Sequence, residues 1–166
     1  MNRPIFKRAF TLVEMLIVIA IIALLAGIIM TSLTGSKSKS RDGKRIADIN
    51  QIQSALEQYF DRCGQYPAQL NVSQGAGVCP ASVTLATFIS TIPTPPGGTY
   101  DYAINTDKTD FVLHVTLENI SDYVKDGLPA ATYGTGGIAG WTVGSGAATF
   151  TCDNSASSLQ YCVGTK

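Results

Sequence analysis

Glu14 is the only charged residue in the apolar run FTLVEMLIVIAIIALLAGIIMTSL, residues 10–33. As a helix these 24 residues would extend about 36 Å, more than the roughly 30 Å of a hydrocarbon core. An unpaired acid at the middle of such a core costs roughly 2.5–3.5 kcal/mol. Glu14 lies one turn from the start of the run, where the cost is smaller, yet an inert anchor has no use for it. The chemistry open to this residue is charge pairing, and the run holds no cation. Its partner has to come from elsewhere.

The rest of the chain offers little for catalysis. His114, the sole histidine, falls inside a strand pattern with no partner motif, which reads as a surface or packed position. No G-x-S-x-G, H-E-x-x-H or phosphate-binding loop occurs. Asp101, Asp107 and Asp110 gather around a polar turn and read as a solvated turn rather than a calcium loop. The four cysteines, Cys63, Cys79, Cys152 and Cys162, make no C-x-x-C, so neither zinc nor any other metal or cofactor is implied. Asn71-Val72-Ser73 and Asn119-Ile120-Ser121 fit the glycosylation sequon, a pattern too short to carry weight.

The stub MNRPIFKRA precedes the run and carries Arg3, Lys7 and Arg8. Such a basic end stays cytoplasmic, so the chain after the run is exported. A secretory signal would have a shorter apolar core closed by a small-x-small cleavage site. Cleavage between Ala9 and Phe10 would instead create an α-ammonium at Phe10. That amine could pair with Glu14 of a neighbouring helix staggered by about one turn, neutralising two charges that are costly apart.

Ala9, Phe10, Thr11, Leu12, Val13 and Glu14 in this order resemble the class III signal of type IV pilins and type II secretion pseudopilins. The resemblance is strong over residues 7–67. It implies cleavage after Ala9 by a prepilin peptidase, N-methylation of Phe10, and assembly through Phe10 and Glu14 into a filament. The implied partners are further copies of the chain, an inner-membrane platform and an assembly ATPase, with membrane lipid before assembly. Three positions depart from the family pattern. Ala9 stands where Gly is usual, and Ala23 and Thr31 stand where many members carry a helix-breaking Gly and Pro. Gly27, the one weak helix former inside the run, is the expected site of any local unwinding.

The segment TGSKSKSRDGKR follows, with five basic residues, Lys37, Lys39, Arg41, Lys44 and Arg45, against Asp42. Headgroup contact before assembly, or pairing with acids of neighbouring subunits, would use them. Its Gly and Ser residues make it a soft point in the helix. Formal charge is zero for the whole chain; without Arg3, Lys7 and Arg8, nine basic residues face twelve acidic ones, a net of −3. Nothing in that balance supports a nucleic-acid partner.

From Lys44 onward Ile46, Ile49, Ile52, Leu56 and Tyr59 or Phe60 recur every three or four residues, the pattern of a helix with one packed face. Gly64 and Pro67 should end it near Cys63. Residues 64–98 read as loop, punctuated by Gly75, Gly77, Pro80, Pro93 and the Pro95–Gly98 run, with a short helix in 83–90. Strands are expected over 99–105 and 109–118, joined by Thr106-Asp107-Lys108. Phe111, Leu113, Val115 and Leu117 should pack on Ile46, Ile49, Ile52 and Leu56, leaving Val112, His114 and Thr116 on a mixed face. Shorter strands fit 141–143, 148–152 and 159–163, with Trp141 as a core plug between Gly140 and Gly144. Four cysteines suit an exported domain and allow three pairings. Sequence-local pairing favours Cys63–Cys79, and Cys152–Cys162 resembles the disulfide-bounded loop near the C-terminus of many type IV pilins.

The expected fold is α+β, a long N-terminal helix packed on a small antiparallel sheet. The expected divisions are a cleaved leader (1–9), a transmembrane and filament-core helix (10–33), its amphipathic continuation (34–62) and an exported head (63–166). The function expected is that of a non-enzymatic pilin subunit, membrane-anchored with its N-terminus inside and then part of a surface filament. A pseudopilin of a type II secretion system is the alternative, and the lack of a calcium-loop pattern speaks weakly against it. An unpolymerised anchored binding domain is the second alternative.

Overall fold

The computed structural model describes residues 10–71, 73, 79, 83–119, 128, 130–153, 155 and 159–165, the side chains of 29–34 excepted. The leader with Ala9, the loop residues Gly75, Gly77 and Pro80, and Val72, Ile120 and Ser121 of the two sequons lie outside the described residues. Helix α1 spans Leu12–Cys63. The chain divides into two compact units, Met1–Lys37 and Ser38–Lys166.

In the first unit α1 carries apolar side chains on every face, and all the large ones from Leu12 to Ile28 are exposed. In the single chain α1 is continuous through Gly27, Gly35 and Gly43, so the expected soft point near Gly35 does not break the helix. A helix-interior glycine costs only about 1 kcal/mol relative to alanine, and the good helix formers around Gly27 outweigh it. Among the described residues no helix is long and apolar enough to cross a membrane. The described apolar side chains stop at Ile28, about 24 Å from Leu12 along a helix, and IMTSLT, residues 29–34, continues the sequence beyond them.

In the second unit α1 turns one face inward. Ile49, Ile52, Leu56 and Tyr59, spaced by three and four residues, are all fully buried. The helix stops because Gly64 takes a left-handed φ of 68° and its N–H closes on the Phe60 carbonyl at 2.7 Å, a conformation glycine adopts without a Cβ penalty. A single 3-10 turn, Leu85–Thr87, is all that forms in the expected short helix, and it buries Leu85.

Six strands follow: β1 Asp101–Asn105, β2 Phe111–Thr116, β3 Ala131–Gly134, β4 Trp141–Ser145, β5 Thr149–Cys152 and β6 Gln160–Gly164. They form an antiparallel sheet of order β4-β1-β2-β6 and a two-stranded antiparallel sheet β3-β5. The β1–β2 hairpin pairs Tyr102 with Leu113 and Ile104 with Phe111. Asn105 shapes its turn, the side-chain oxygen accepting the N–H groups of Thr109 and Asp110 at 2.9 and 3.1 Å.

One sheet face packs Tyr102, Ile104, Phe111, Leu113 and Val115 into a single core with Ile49, Ile52, Leu56 and Tyr59. The opposite face is buried too, where a mixed face was expected. Ala103 and Val112 share a second core with Tyr133, Phe150, Cys152 and Cys162. The β3–β5 ribbon supplies Tyr133 and Phe150 to that cover. Trp141 is not a plug. It is half-buried on the outermost strand β4, edge-on to Tyr133 with ring centroids 5.0 Å apart. β4 is the edge of its sheet, and the chain that borders it, residues 68–70, lies against Gly144 and Ser145.

Gly146, in the β4–β5 turn, has φ +94°, and a Cβ there would sit 2.7 Å from Asp101 Cα. Gly146→Ala is expected to destabilise the fold by roughly 3 kcal/mol, from backbone strain and the clash together. Gly136→Ala, at φ +80° with nothing within 4 Å, should cost only about 1–2 kcal/mol. Denaturant unfolding of the two variants in detergent checks the difference.

Candidate assembly site

Glu14 lies in the first turn of α1 and Phe10 two residues before the helix, both exposed. Thr11 is the residue before the helix, and it bonds Glu14 in both directions. The Thr11 N–H and the Thr11 hydroxyl each donate to Glu14 Oε2 at 3.0 Å. The Glu14 N–H donates back to Thr11 Oγ1 at 3.2 Å. This is a capping box, in which the cap residue and the third helical residue each satisfy a backbone donor of the other. Glu14 Oε1 accepts nothing among the described residues. The carboxylate therefore has one oxygen held and one open to a cation. The sequence reading assigned Glu14 an external partner alone and missed the internal one, although Thr-x-x-Glu at residues 11–14 is its signal.

The basic segment is divided rather than free. Arg45 is buried and donates through Nη1 to Asp42 Oδ1 at 2.7 Å, while its Nη2 lies 2.8 Å from Glu118 Oε1 and also reaches the Pro96 carbonyl. Arg41 donates through Nε to Glu118 Oε1 at 2.8 Å and pairs through Nη2 with Oε2. Asp42 also accepts the backbone N–H groups of Glu118 and Asn119, both at 2.9 Å, and the Asn119 side-chain amide at 2.8 Å. Two of the five cations thus clamp the end of β2 to α1 inside one subunit, which corrects the expectation of headgroup or intersubunit contact for them. Lys37, Lys39 and Lys44 stay exposed, with no ion pair among the described residues.

The electrostatics of the clamp follow from these partners. Burial pushes the Asp42 carboxyl up, but donation from Glu118, Asn119 and Arg45 outweighs it and the carboxyl sits below its ordinary value. The hydrogen bond from Arg41, with help from Arg45, lowers Glu118 to about 2.

The three aspartates near the hairpin do not form one solvated turn. Asp101 is buried on β1, its Oδ2 2.6 Å from His114 Nδ1 and its Oδ1 accepting the Ala147 N–H at 2.7 Å. Asp110 accepts from Asn105 and the Thr165 hydroxyl, both at 2.9 Å, and only Asp107 is fully exposed. His114 is buried, stacked on Phe150 at 5.0 Å and 8°, with Nε2 facing the Gln160 side-chain oxygen. This polar cluster, which links three strands of the larger sheet, escaped the sequence reading, because its members are scattered between positions 101 and 160. Among the described residues no group of three or more acids, histidines or cysteines is placed to hold a metal. The disulfides join Cys63 to Cys79 and Cys152 to Cys162.

The profile of the prokaryotic N-terminal methylation motif matches residues 6–30. Type II secretion system core protein G of Dickeya chrysanthemi is 28% identical over 150 residues, covering 85% of this chain and 90% of that protein. The protein of the same name from Escherichia coli (strain K12) is 31% identical over 104 residues, 59% of this chain and 71% of its own length. That of Klebsiella pneumoniae is 29% identical over 104 residues, 59% of this chain and 74% of its own. No solved structure matches the chain significantly.

Acid titration tests the clamp. Asp42 and Glu118 are both held below their ordinary values, so their contribution is complete above about pH 5 and fades as the pH falls toward about 2. The unfolding midpoint should drop across that window. In the Asp42→Asn, Glu118→Gln double variant the stability at neutral pH should be lower and the acid-side drop smaller.

Proposed function

Because the chain belongs to the type IV pilin and type II secretion pseudopilin family, we propose that it is a structural pseudopilin of a type II secretion system. The observation that carries this reading is the similarity to core protein G across 85% of this chain and 90% of that relative. The absent calcium-loop pattern, which had spoken for a pilus subunit, is a smaller argument than a similarity of that length. The chemistry is done to this protein, not by it. A prepilin peptidase removes residues 1–9 after Ala9 and methylates Phe10. Residues 10–33 then hold the subunit in the cytoplasmic membrane, N-terminus inside, with residues 63–166 exported.

Assembly follows, driven by an inner-membrane platform and its ATPase. The residue 10–33 helix leaves lipid and packs beside other copies, and the α-ammonium of Phe10 on one copy meets Glu14 of another. The exposure of the large apolar side chains from Phe10 to Ile28 supports this, since a surface of that kind needs lipid or further protein against it. Lys37, Lys39 and Lys44, the cations left over from the clamp, are suited to anionic headgroups before assembly. A surface pilus subunit is the second reading, favoured by the Cys152–Cys162 loop.

Mass spectrometry of the native protein should find N-methylated Phe10 as its first residue; a retained Met1–Ala9 leader would sink the proposal. Glu14→Ala is expected to insert and be processed but to enter filaments at least about tenfold less, the loss of a charge pair worth more than 1.4 kcal/mol. Deletion of the gene should stop release of the system's secreted proteins. Intact secretion with loss of surface fibres would favour the pilus reading.

A further inference from the structure

The Glu14 carboxylate is not presented symmetrically. Oε2 is gripped by two donors of the same residue, the Thr11 N–H and hydroxyl at 3.0 Å each, and Oε1 has no partner among the described residues. We propose that Thr11 is a positioning residue of assembly: it fixes the Glu14 side chain so that Oε1 faces the incoming Phe10 ammonium of a second copy. This rests on the pairing of Phe10 with Glu14 proposed above and adds to it a residue that touches neither the ammonium nor the cut.

A carboxylate on a free Glu side chain samples several rotamers, and ordering it on binding costs free energy. Holding it beforehand removes that cost from the pairing step. The grip also keeps the acid hydrogen-bonded while the surrounding side chains are apolar, where an acid without donors is expensive. It survives processing, because the Thr11 N–H belongs to the Phe10–Thr11 peptide bond and the bond cut lies one residue earlier. In the return direction the Glu14 N–H, one of the donors a helix start leaves unsatisfied, is bonded by Thr11 Oγ1 at 3.2 Å. Side-chain and backbone bonds lock each other.

Two roles for Thr11 make different predictions. If it only caps the helix, any good cap will serve. If it positions the carboxylate, the replacement must also carry a side-chain donor to Oε2. Thr11→Ser keeps both functions. Thr11→Gly caps about as well as threonine does but has no side-chain donor. Thr11→Val keeps the shape and loses both. The full-length variants are expressed in cells with the whole secretion apparatus, and filament incorporation is measured per subunit processed to Phe10.

Thr11→Ser should assemble like the unmodified chain, while Thr11→Val and Thr11→Gly should each fall roughly fivefold or more. Normal assembly of Thr11→Gly reduces Thr11 to a helix cap and overturns the proposal, as does normal assembly of Thr11→Val or failure of Thr11→Ser. Glu14→Ala run in parallel separates the two levels. If Glu14→Ala assembles normally, the charge-pair reading itself has failed. If Glu14→Ala is lost while Thr11→Val assembles, only the role of Thr11 has.

Discussion

A carboxylate on an apolar helix must be given hydrogen-bond donors wherever the helix goes, and Glu14 sets that condition for the whole N-terminal part of this chain. In the free subunit the donors are local: Thr11 supplies both, one from its backbone and one from its side chain. Those donors satisfy one oxygen. The second has no donor among the described residues, and around it lie exposed apolar residues, Phe10, Leu12, Val13 and Met15 among them. Local satisfaction and outward demand are thus built into one side chain. A plain anchor with leucine at this position would have neither.

The constraint on the other compact unit is that one stretch of α1 must line a core with a single face. The residues from Ile49 to Tyr59 meet it by placing a large side chain inward at each turn. The sheet they meet is covered on its far side as well, and that second layer changes what can be buried. His114 would lie at a boundary with water on a sheet with one free face. Under Phe150 it is enclosed and needs Asp101 and Gln160 as partners. Asp42 and Arg45 in the clamp obey the same rule, since buried ionised groups persist when each finds an oppositely charged or hydrogen-bonding neighbour.

What the sequence disclosed depended on how far its signals reach along the chain. Periodicity over Ile46–Tyr59, the Gly64 stop and the alternation of Phe111–Leu117 are local, and the helix and the β1–β2 hairpin lie where those patterns put them. The strands at 141–145, 149–152 and 160–164 were also readable, but β3 was not, being four residues in a glycine-rich stretch. The far cover of the sheet was illegible, since Tyr133 and Phe150 meet Val112 only through tertiary packing. At the candidate site the acid was evident and its cap overlooked. The unusual cost of Glu14 drew attention to distant partners, while an ordinary four-residue helix-start pattern, Thr11 to Glu14, supplied the nearest one.

On the proposed reading, the transfer of this helix from lipid to a filament core gains little from the hydrophobic effect. Lipid tails and the side chains of a neighbouring helix are equally apolar, so close packing and polar contacts have to decide which state wins. Packing between smooth aliphatic side chains such as Ile17, Ile21 and Leu24 discriminates poorly among registers, because a shift by one turn presents another aliphatic surface. A charge pair discriminates sharply: in register both ions are neutralised, and out of register both remain without a partner in a medium that cannot solvate them. One carboxylate among some two dozen apolar residues can therefore fix the stagger of the assembly while contributing little to its buried area. The same reasoning explains why its orientation matters. An interaction that selects register by geometry loses that power when the acceptor is free to swing, and the hydroxyl of Thr11 is the group that restrains it.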